Sequence, residues 1–261
     1  MLRILLSYST GPHWTANAAR PKILRMKNQR KLTITILQHS DGTPPGTVTD
    51  WLRQKGYGVD VRLLHKGDAL PSIEQTDWVI ILGGAMNVDD TVEFPWLKDE
   101  KRFLKEAVDA GKSCLGLCLG GQLLAQTLGG TVRKNEHWEA GWFRVALTGD
   151  GKSKDDLTVS QFHQDAFTLP PGAERFATNA ITANQAFKYG EHVVGIQFHP
   201  ETTLEWVKSF ADEDPYPTGP YVQSLKELLA GAAVHLDPMR AWFFSLLNEM
   251  EKAALQRPTK D

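Results

Sequence analysis

Apolar and mixed stretches alternate in the first half of the sequence and predict an ordered series of strands and helices. Four mostly apolar or β-branched runs of strand length lie at 33–37, 59–64, 78–82 and 113–117. Three stretches with apolar residues at helical spacing lie between or after them, at 48–55, 95–110 and 119–128. This order predicts an α/β fold with a doubly wound, mostly parallel sheet, in which ligands bind beyond the carboxyl ends of the strands.

The second half of the chain predicts different elements. From about Thr131 to Gln197, short β-like segments alternate with polar turns, which is typical of antiparallel hairpins added to the edge or face of a sheet. These segments are 141–147, 173–178, 183–189 and 192–198. The tail is predicted to be helical at 204–210 and 221–230. A separate last helix is expected from Asp237-Pro238 to about Leu255, because aspartate caps helices and proline suits their first turn.

Residues 1–31 differ from the rest of the chain. They contain seven Lys or Arg residues, and the first acidic residue of the chain is Asp41. We expect a basic N-terminal extension that is disordered, or a chain that begins near Met26, in preference to a transit peptide. Residues 32–261 are expected to form a single domain.

Composition narrows the class of protein. The 261 residues are 41% hydrophobic and 23% charged, which is ordinary for a globular protein. A net charge of −2 argues against nucleic acid or a membrane surface as a partner. Two cysteines are too few for a disulfide framework, and no apolar run approaches the ~20 residues that span a bilayer. We therefore expect a cytoplasmic protein. No cysteine and histidine cluster has zinc-site spacing, and we expect neither a metal nor an organic cofactor.

Cys118 lies at the junction between the fourth strand and the helix that follows it. Gly116 and Gly120 lie two residues to either side, which gives the cysteine form of the strand–elbow–helix nucleophile motif. A thiol in this position lies at a helix N-terminus, where the helix dipole favours the thiolate and free N–H groups can hold an oxyanion. The alternative interpretation is an inert thiol in the core.

His199-Pro200-Glu201 supplies the other groups that a cysteine hydrolase needs. Proline favours an extended conformation for the residue before it, and residues i and i+2 of an extended chain point to the same side. Glu201 can then orient one ring nitrogen of His199 and leave the other nitrogen for Cys118. Alone, this tripeptide is more typical of a surface turn.

These motifs together resemble those of a known family. Residues 116–122 (Gly-Leu-Cys-Leu-Gly-Gly-Gln) and 197–201 (Gln-Phe-His-Pro-Glu), with Gly83-Gly84 upstream, resemble the class I (triad) glutamine amidotransferases. The likeness runs from about residue 33 to 210 and points in particular to the amidotransferase domain of GMP synthase and its stand-alone relatives.

The resemblance implies a role for each matching residue. Cys118 would be the nucleophile, His199 the base and acid, and Glu201 the group that orients the histidine. The N–H groups of Gly84 and Leu119 would form the oxyanion hole. The resemblance implies that Gln122 contacts the glutamine substrate. A looser match, His163-Gln164-Asp165, implies the same for Gln164 and Asp165, and the alternative for His163 is a structural histidine.

The resemblance implies that the protein hydrolyses glutamine to release ammonia. The sequence leaves open the rigidity of the oxyanion turn, the acceptor of the ammonia and the identity of the substrate. Ala85 stands where close relatives of GMP synthase have proline, which bears on the stiffness of the oxyanion turn. No ATP-binding synthetase half follows, so either a separate synthetase chain receives the ammonia or the chemistry serves another end. One alternative is a γ-glutamyl peptide or amide hydrolase with the same triad, and the second is a non-catalytic regulatory subunit.

Overall fold

One nine-stranded sheet runs through the part of the chain that the computed structural model describes, which is residues 31–148, 156–212 and 215–257. The strands are β1 Ile34–Gln38, β2 Asp60–Leu63, β3 Trp78–Ile81, β4 Ser113–Leu117, β5 Val132–Leu147, β6 Asp156–Phe167, β7 Glu174–Thr178, β8 Ala186–Tyr189 and β9 Val193–Ile196. The α-helices are α1 Thr47–Lys55, α2 Trp96–Asp109, α3 Leu119–Thr127, α4 Leu204–Ser209 and α5 Leu225–Gln256. The predicted basic extension at 1–31 falls almost entirely outside the described residues and stays a prediction.

The strand order is β2-β1-β3-β4-β9-β8-β7-β5-β6. The first five strands in this order pair in parallel and the last four pair antiparallel, beginning with β8 against β9. The predicted α/β class, with a mostly parallel doubly wound sheet, an antiparallel insertion and C-terminal helices, is confirmed.

Two details of the predicted sheet were wrong. Residues 192–198 were expected only in a hairpin added to the edge or face of the sheet; β9 does pair antiparallel with β8, but it also pairs in parallel with β4 and occupies the centre of the sheet. Residues 141–147 were expected to form a short segment, whereas β5 has 16 residues. Exposed and buried residues alternate irregularly along β5, and its pairing with β6 shifts register between Lys134 and Glu139, which hides a long strand from period-2 analysis.

Helices cover both faces of the sheet. On one face, α1, α4 and α5 pack over buried residues that include Ile36, Trp78 and Leu115. On the other face, α2 and α3 pack over a second buried cluster that includes Val79 and Ile81. Adjacent strand residues therefore alternate between two cores, as a doubly wound sheet requires.

The C-terminal helix is longer than predicted. α5 is continuous for 32 residues and contains Pro238, so the expected break at Asp237-Pro238 was wrong. Its N-terminus is at Ser224, whose side chain accepts a hydrogen bond from the N–H of Glu227 in a capping box. Proline removes one hydrogen bond from a helix interior, but the buried stripe of α5 on either side of Pro238 keeps the helix on the core.

Within the described ranges, no helix combines the length and the apolar character that a bilayer crossing requires.

Candidate active site

Cys118 occupies a strained turn between β4 and α3. Its backbone has φ 50° and ψ −109°, and it is the one non-glycine residue with positive φ in the described ranges. Two backbone hydrogen bonds hold this turn: the Cys118 N–H donates to the Ile196 carbonyl at 2.8 Å, and the Gly120 N–H donates to the Leu82 carbonyl at 3.1 Å. Such a conformation persists only where the surrounding structure imposes it, and it is frequent at functional sites.

The glycines around Cys118 are required by close backbone packing. A Cβ atom on Gly116 would lie 2.2 Å from the carbonyl oxygen of Gly120, and a Cβ atom on Gly120 would lie 2.2 Å from that of Ile81. Helix α3 therefore starts directly against the ends of β3 and β4, with the cysteine between them. The predicted elbow is present in the described fold.

The structure brings Cys118, His199 and Glu201 together, as the sequence predicted. Nδ1 of His199 donates to Oε1 of Glu201 at 2.9 Å. The other side of the imidazole lies near Cys118: a Cβ atom on Gly83 would be 3.0 Å from Cε1 of His199 and 3.6 Å from Cβ of Cys118. All three side chains are buried, with Cys118 the most accessible at 6%. Burial lowers the pKa of His199, but the negative charges of Cys118 and Glu201 outweigh it and raise the pKa to about 10. This charge arrangement favours the imidazolium form of His199.

Two backbone hydrogen bonds and one ring contact, from three other elements, fix the histidine and the glutamate. The His199 N–H donates to the Ser160 carbonyl in β6 at 2.8 Å, and the N–H of Thr47 at the start of α1 donates to the Glu201 carbonyl at 2.9 Å. The edge of the His199 ring meets Trp206 of α4, with ring centroids 4.8 Å apart. The Glu201 carboxylate and the Trp206 ring therefore contact the imidazole itself, and the two backbone hydrogen bonds fix the segment that carries it.

The predicted oxyanion donors, Gly84 and Leu119, lie next to each other. A Cβ atom on Gly84 would lie 2.7 Å from the Cδ2 atom of Leu119. Neither N–H group has an acceptor within the described part of the chain. Leu119 is the first residue of α3, where N–H groups have no intrahelical partner. Both groups are available to a ligand atom beside Cys118.

A cavity of about 660 Å³ opens beside Cys118 and is lined by the predicted Gly84, Gln122, Gln164 and Asp165. Gln122 donates to the backbone carbonyl of Asp165 at 3.0 Å, and Asn87 donates to the Asp165 carboxylate at 2.6 Å. The predicted substrate residues are therefore held by the protein itself, with Gln122 buried below Asp165.

The far wall of the cavity is aromatic and was not predicted from the sequence. Phe162 lies between Trp138 and Tyr216, with ring centroids at 5.7 and 6.0 Å, and Lys134 contributes a charged side chain to the same cavity. Trp138 in β5 belongs to this wall, whereas the indole N–H of Trp142 in the same strand donates to the Leu228 carbonyl in α5.

Gln197 is a second residue that the sequence analysis did not assign. Its side-chain amide lies 3.9 Å from the sulfur of Cys118, and its Oε1 accepts from Gln122 at 3.4 Å. The spacing could have revealed it, because residues 197 and 199 of an extended segment point to the same side. In the described residues, no group of three or more His, Cys, Asp or Glu side chains is arranged to hold a metal ion.

Comparison with known proteins gives consistent results. The family model of class I glutamine amidotransferases matches residues 46–209. The glutamine amidotransferase-like protein YfeJ of Salmonella typhimurium is 26% identical over 84% of this chain and 93% of its own length. One subunit of the glutamine-hydrolyzing GMP synthase of Methanospirillum hungatei is 30% identical over 56% of this chain and 75% of its own length.

A solved structure shares the fold at the level of the whole domain. The crystal structure of a glutamine amido transferase from Methylobacillus flagellatus superposes with a TM-score of 0.81 and 28% identity, and the match covers 88% of this chain and 97% of that one. The matched family region begins at the turn before α1 and extends through α4, so it contains the elbow, the His199-Pro200-Glu201 segment and the strands that carry them. The chain belongs to the class I glutamine amidotransferase family.

Proposed function

We propose that this protein hydrolyses the side-chain amide of glutamine through a γ-glutamyl thioester on Cys118 and releases ammonia. The observation that carries the proposal is the contact series from the strained Cys118 to His199 and from His199 to Glu201 at 2.9 Å. A nucleophile, a base and an orienting group in this order are the parts of a catalytic triad.

The reaction proceeds in two halves. In the first, the Cys118 thiolate attacks the amide carbon, the carbon–nitrogen bond breaks, and His199 gives its proton to the departing ammonia. In the second, His199 takes a proton from water, and the resulting hydroxide attacks the thioester to release glutamate and restore the thiolate. Glu201 stabilises the imidazolium, which is present before the proton transfer of the first half and after the proton transfer of the second.

The tetrahedral intermediate of each half carries a negative oxygen. We assign its stabilisation to the N–H groups of Gly84 and Leu119. The two residues lie next to each other, and neither N–H has an acceptor within the described part of the chain. A donor of this kind contributes about 3 kcal/mol to lowering the barrier. We assign contact with the glutamine to Gln122, Gln164 and Asp165, which line the cavity.

The ammonia requires an acceptor. The relatives named above include one subunit of a glutamine-hydrolyzing GMP synthase, a name that denotes part of a larger enzyme. We propose a separate synthetase chain as the recipient of the ammonia.

The cavity supports a second candidate, a γ-glutamyl peptide or amide hydrolase. Its volume of about 660 Å³ lies within the range of sites that enclose ligands several times larger than an ammonia leaving group. The aromatic wall of Trp138, Phe162 and Tyr216 would suit an apolar leaving amine, and the ammonium group of Lys134 would suit a carboxylate. The triad is the same for both substrates.

A comparison of substrates and cysteine variants tests both candidates. Free glutamine and a set of γ-glutamyl dipeptides would be assayed for ammonia and amine release with the wild-type protein, with Cys118→Ser, and with Cys114→Ser as the matched control. Burial raises the pKa of Cys114 to about 12, so its thiol stays protonated and takes no part in either reaction.

We expect the wild-type and Cys114→Ser proteins to turn over alike and Cys118→Ser to lose at least about 10³-fold in kcat. Ammonia release from glutamine would establish the first candidate, and faster amine release from dipeptides would favour the second. Absence of turnover on every substrate, together with absence of Cys118 labelling by a glutamine-mimicking alkylator, would instead identify a non-catalytic regulatory role.

A further inference from the structure

A buried histidine outside the triad holds the peptide bond that leads to Gly84. The carbonyl oxygen of Gly83 accepts two hydrogen bonds, one from Nδ1 of His39 and one from the hydroxyl of Thr43, both at 3.0 Å. His39 follows β1, and Gly83 follows β3, the strand that pairs with β1. The turn after β3 is therefore fixed from the neighbouring strand end.

Because the peptide bond is planar, fixing the Gly83 carbonyl also fixes the direction of the Gly84 N–H. In a trans peptide the C=O of one residue and the N–H of the next point in opposite directions. With the Gly83 carbonyl held toward His39 and Thr43, the N–H of Gly84 is directed away from them. Gly84 and Cys118 line the same cavity, so the direction of this N–H bears on a ligand atom bound beside the nucleophile.

A second buried pair fixes His39. Its Nε2 lies 2.9 Å from Oε1 of Glu100 in α2, and both side chains are fully buried. Trp96, one turn earlier in α2, stacks on the imidazole with an angle of 18° between the ring planes. One ring nitrogen faces a carbonyl and the other a carboxylate, so both nitrogens act as donors to these acceptors when His39 is an imidazolium. Burial lowers the pKa of His39, but the charge of Glu100 outweighs it, and the net shift is upward.

A gain in folding stability alone does not explain this buried pair, because burying it costs free energy. Removing two charges from water costs several kcal/mol per ion, and apolar replacements for a buried pair are often neutral or stabilising. Oε2 of Glu100 also lacks a hydrogen-bond partner in the described residues, which adds to the cost. The pair forms a connected series from Glu100 through His39 and the Gly83 carbonyl to the N–H of Gly84.

We propose that His39, charged and oriented by Glu100, is a positioning residue that holds and polarises the Gly83–Gly84 peptide so that the Gly84 N–H donates to the oxyanion. The inference rests on the proposed function, since it concerns the barrier of amide cleavage. A hydrogen bond from a cation to the carbonyl draws electrons from the peptide and strengthens its N–H as a donor.

Two variants and one control test the proposal. Glu100→Gln preserves the shape of the pair and removes its negative charge. The double variant His39→Leu/Glu100→Leu removes the donor and the carboxylate together, so no unpaired charge stays buried and the protein is expected to fold. Glu251→Gln is the matched control: it also changes a partly buried carboxylate to an amide, where Glu251 accepts from Lys55 and Tyr57 far from the cavity.

Each protein would be assayed for turnover of glutamine or of the best γ-glutamyl substrate, and separately for the rate of Cys118 alkylation by iodoacetamide. Alkylation at a saturated carbon forms no oxyanion, so it reports the thiolate without the oxyanion hole. We expect kcat to fall about tenfold in Glu100→Gln and about 10- to 100-fold in the double variant, with KM and the alkylation rate within about twofold of wild type.

Several results would overturn the proposal. One is a kcat of the double variant within twofold of the Glu251→Gln control; another is an alkylation rate that falls in parallel with kcat, which would place the effect in the triad. If the double variant does not fold, an unchanged kcat in Glu100→Gln is sufficient to reject the proposal. A wild-type protein that cleaves no substrate contradicts the proposed function itself and this inference with it, whereas active wild-type and equally active variants contradict the inference alone.

Discussion

At the scale of single residues, the candidate site depends on where one proton resides. His199 is enclosed between Cys118 and Glu201, and their negative charges favour its imidazolium form despite burial. The pKa of about 10 lies above the ordinary value of 6.5. This charge interaction therefore stabilises the fold fully below about pH 6.5, and its contribution is lost as the pH rises through about 10.

Replacing Glu201 should move this titration. In Glu201→Gln one of the negative charges that raise the pKa of His199 is absent, so we expect the pKa to fall and the alkaline limit of kcat/KM to shift to lower pH by at least about one unit. The pH dependence of kcat/KM from pH 6 to 10.5 measures this shift. An unchanged alkaline limit, with reduced kcat at all pH values, would show that Glu201 acts by orientation alone.

The sequence predicted these three side chains for a physical reason. Each motif constrains the backbone locally and can be recognised within a few consecutive residues. One is the pair of glycines two residues from the cysteine, and the other is the proline between histidine and glutamate. No local sequence pattern marked the His39–Glu100 pair, because its partners lie 61 residues apart and meet only in the folded chain. Gln197 was within a recognised motif but received no role, since its 3.9 Å approach to sulfur depends on the side-chain conformation.

At the scale of elements, the elbow is the feature that tolerates least change. Gly120 lies where α3 meets β3, and a Cβ atom added to it would be only 2.2 Å from the carbonyl oxygen of Ile81. A backbone atom cannot rotate away as a side chain can, so a methyl group here must displace the helix or the strand.

A pair of glycine substitutions tests this packing. Gly120→Ala should lower the free energy of unfolding by at least about 2 kcal/mol and abolish turnover, because the start of α3 moves away from β3. Gly58→Ala is the control, since a Cβ atom there would have no neighbour within 4 Å and no positive φ is required. Urea unfolding and ammonia or amine release measure the two effects. Equal stability of the two variants would contradict the packing argument.

The last helix shows where element prediction from sequence was limited. Asp237-Pro238 has the local character of a helix start, yet α5 continues through it. Met239, Phe243 and Leu247 are fully buried, and this apolar stripe outweighs the hydrogen bond that Pro238 removes. Local rules identify a helix end only when the tertiary contacts on both sides do not favour continuity.

At the scale of the whole molecule, α5 supports the site through hydrogen bonds to β6 and α1. Met239 of α5 accepts a hydrogen bond from the N–H of Ser160, and the carbonyl of Ser160 in turn accepts from the N–H of His199. The same helix reaches α1, where Asn248 accepts from the indole of Trp51. The core under α5 therefore connects the histidine to the first helix of the domain.

Truncating the centre of this core should destabilise the whole domain. Phe243→Ala removes a fully buried ring, and we expect a loss of about 3–5 kcal/mol in the free energy of unfolding. Phe244→Ala serves as the control, because that ring is only partly buried and lies under Arg240, so its loss should be less than half as large. Thermal and urea unfolding measure both. Similar losses in the two variants would mean that α5 is not anchored through Phe243.

The hydrogen bond from Thr47 to the Glu201 carbonyl has a consequence for the order of events on the ribosome. The first turn of α1 is completed by a residue made much later in synthesis, and a Cβ atom on Gly46 would collide with that same carbonyl. β4 likewise obtains its second neighbour only when β9 emerges. A nascent chain that has been translated only through α3 thus exposes the unpaired edge of β4 next to the incomplete elbow. We expect it to depend on chaperones until β9 has been translated.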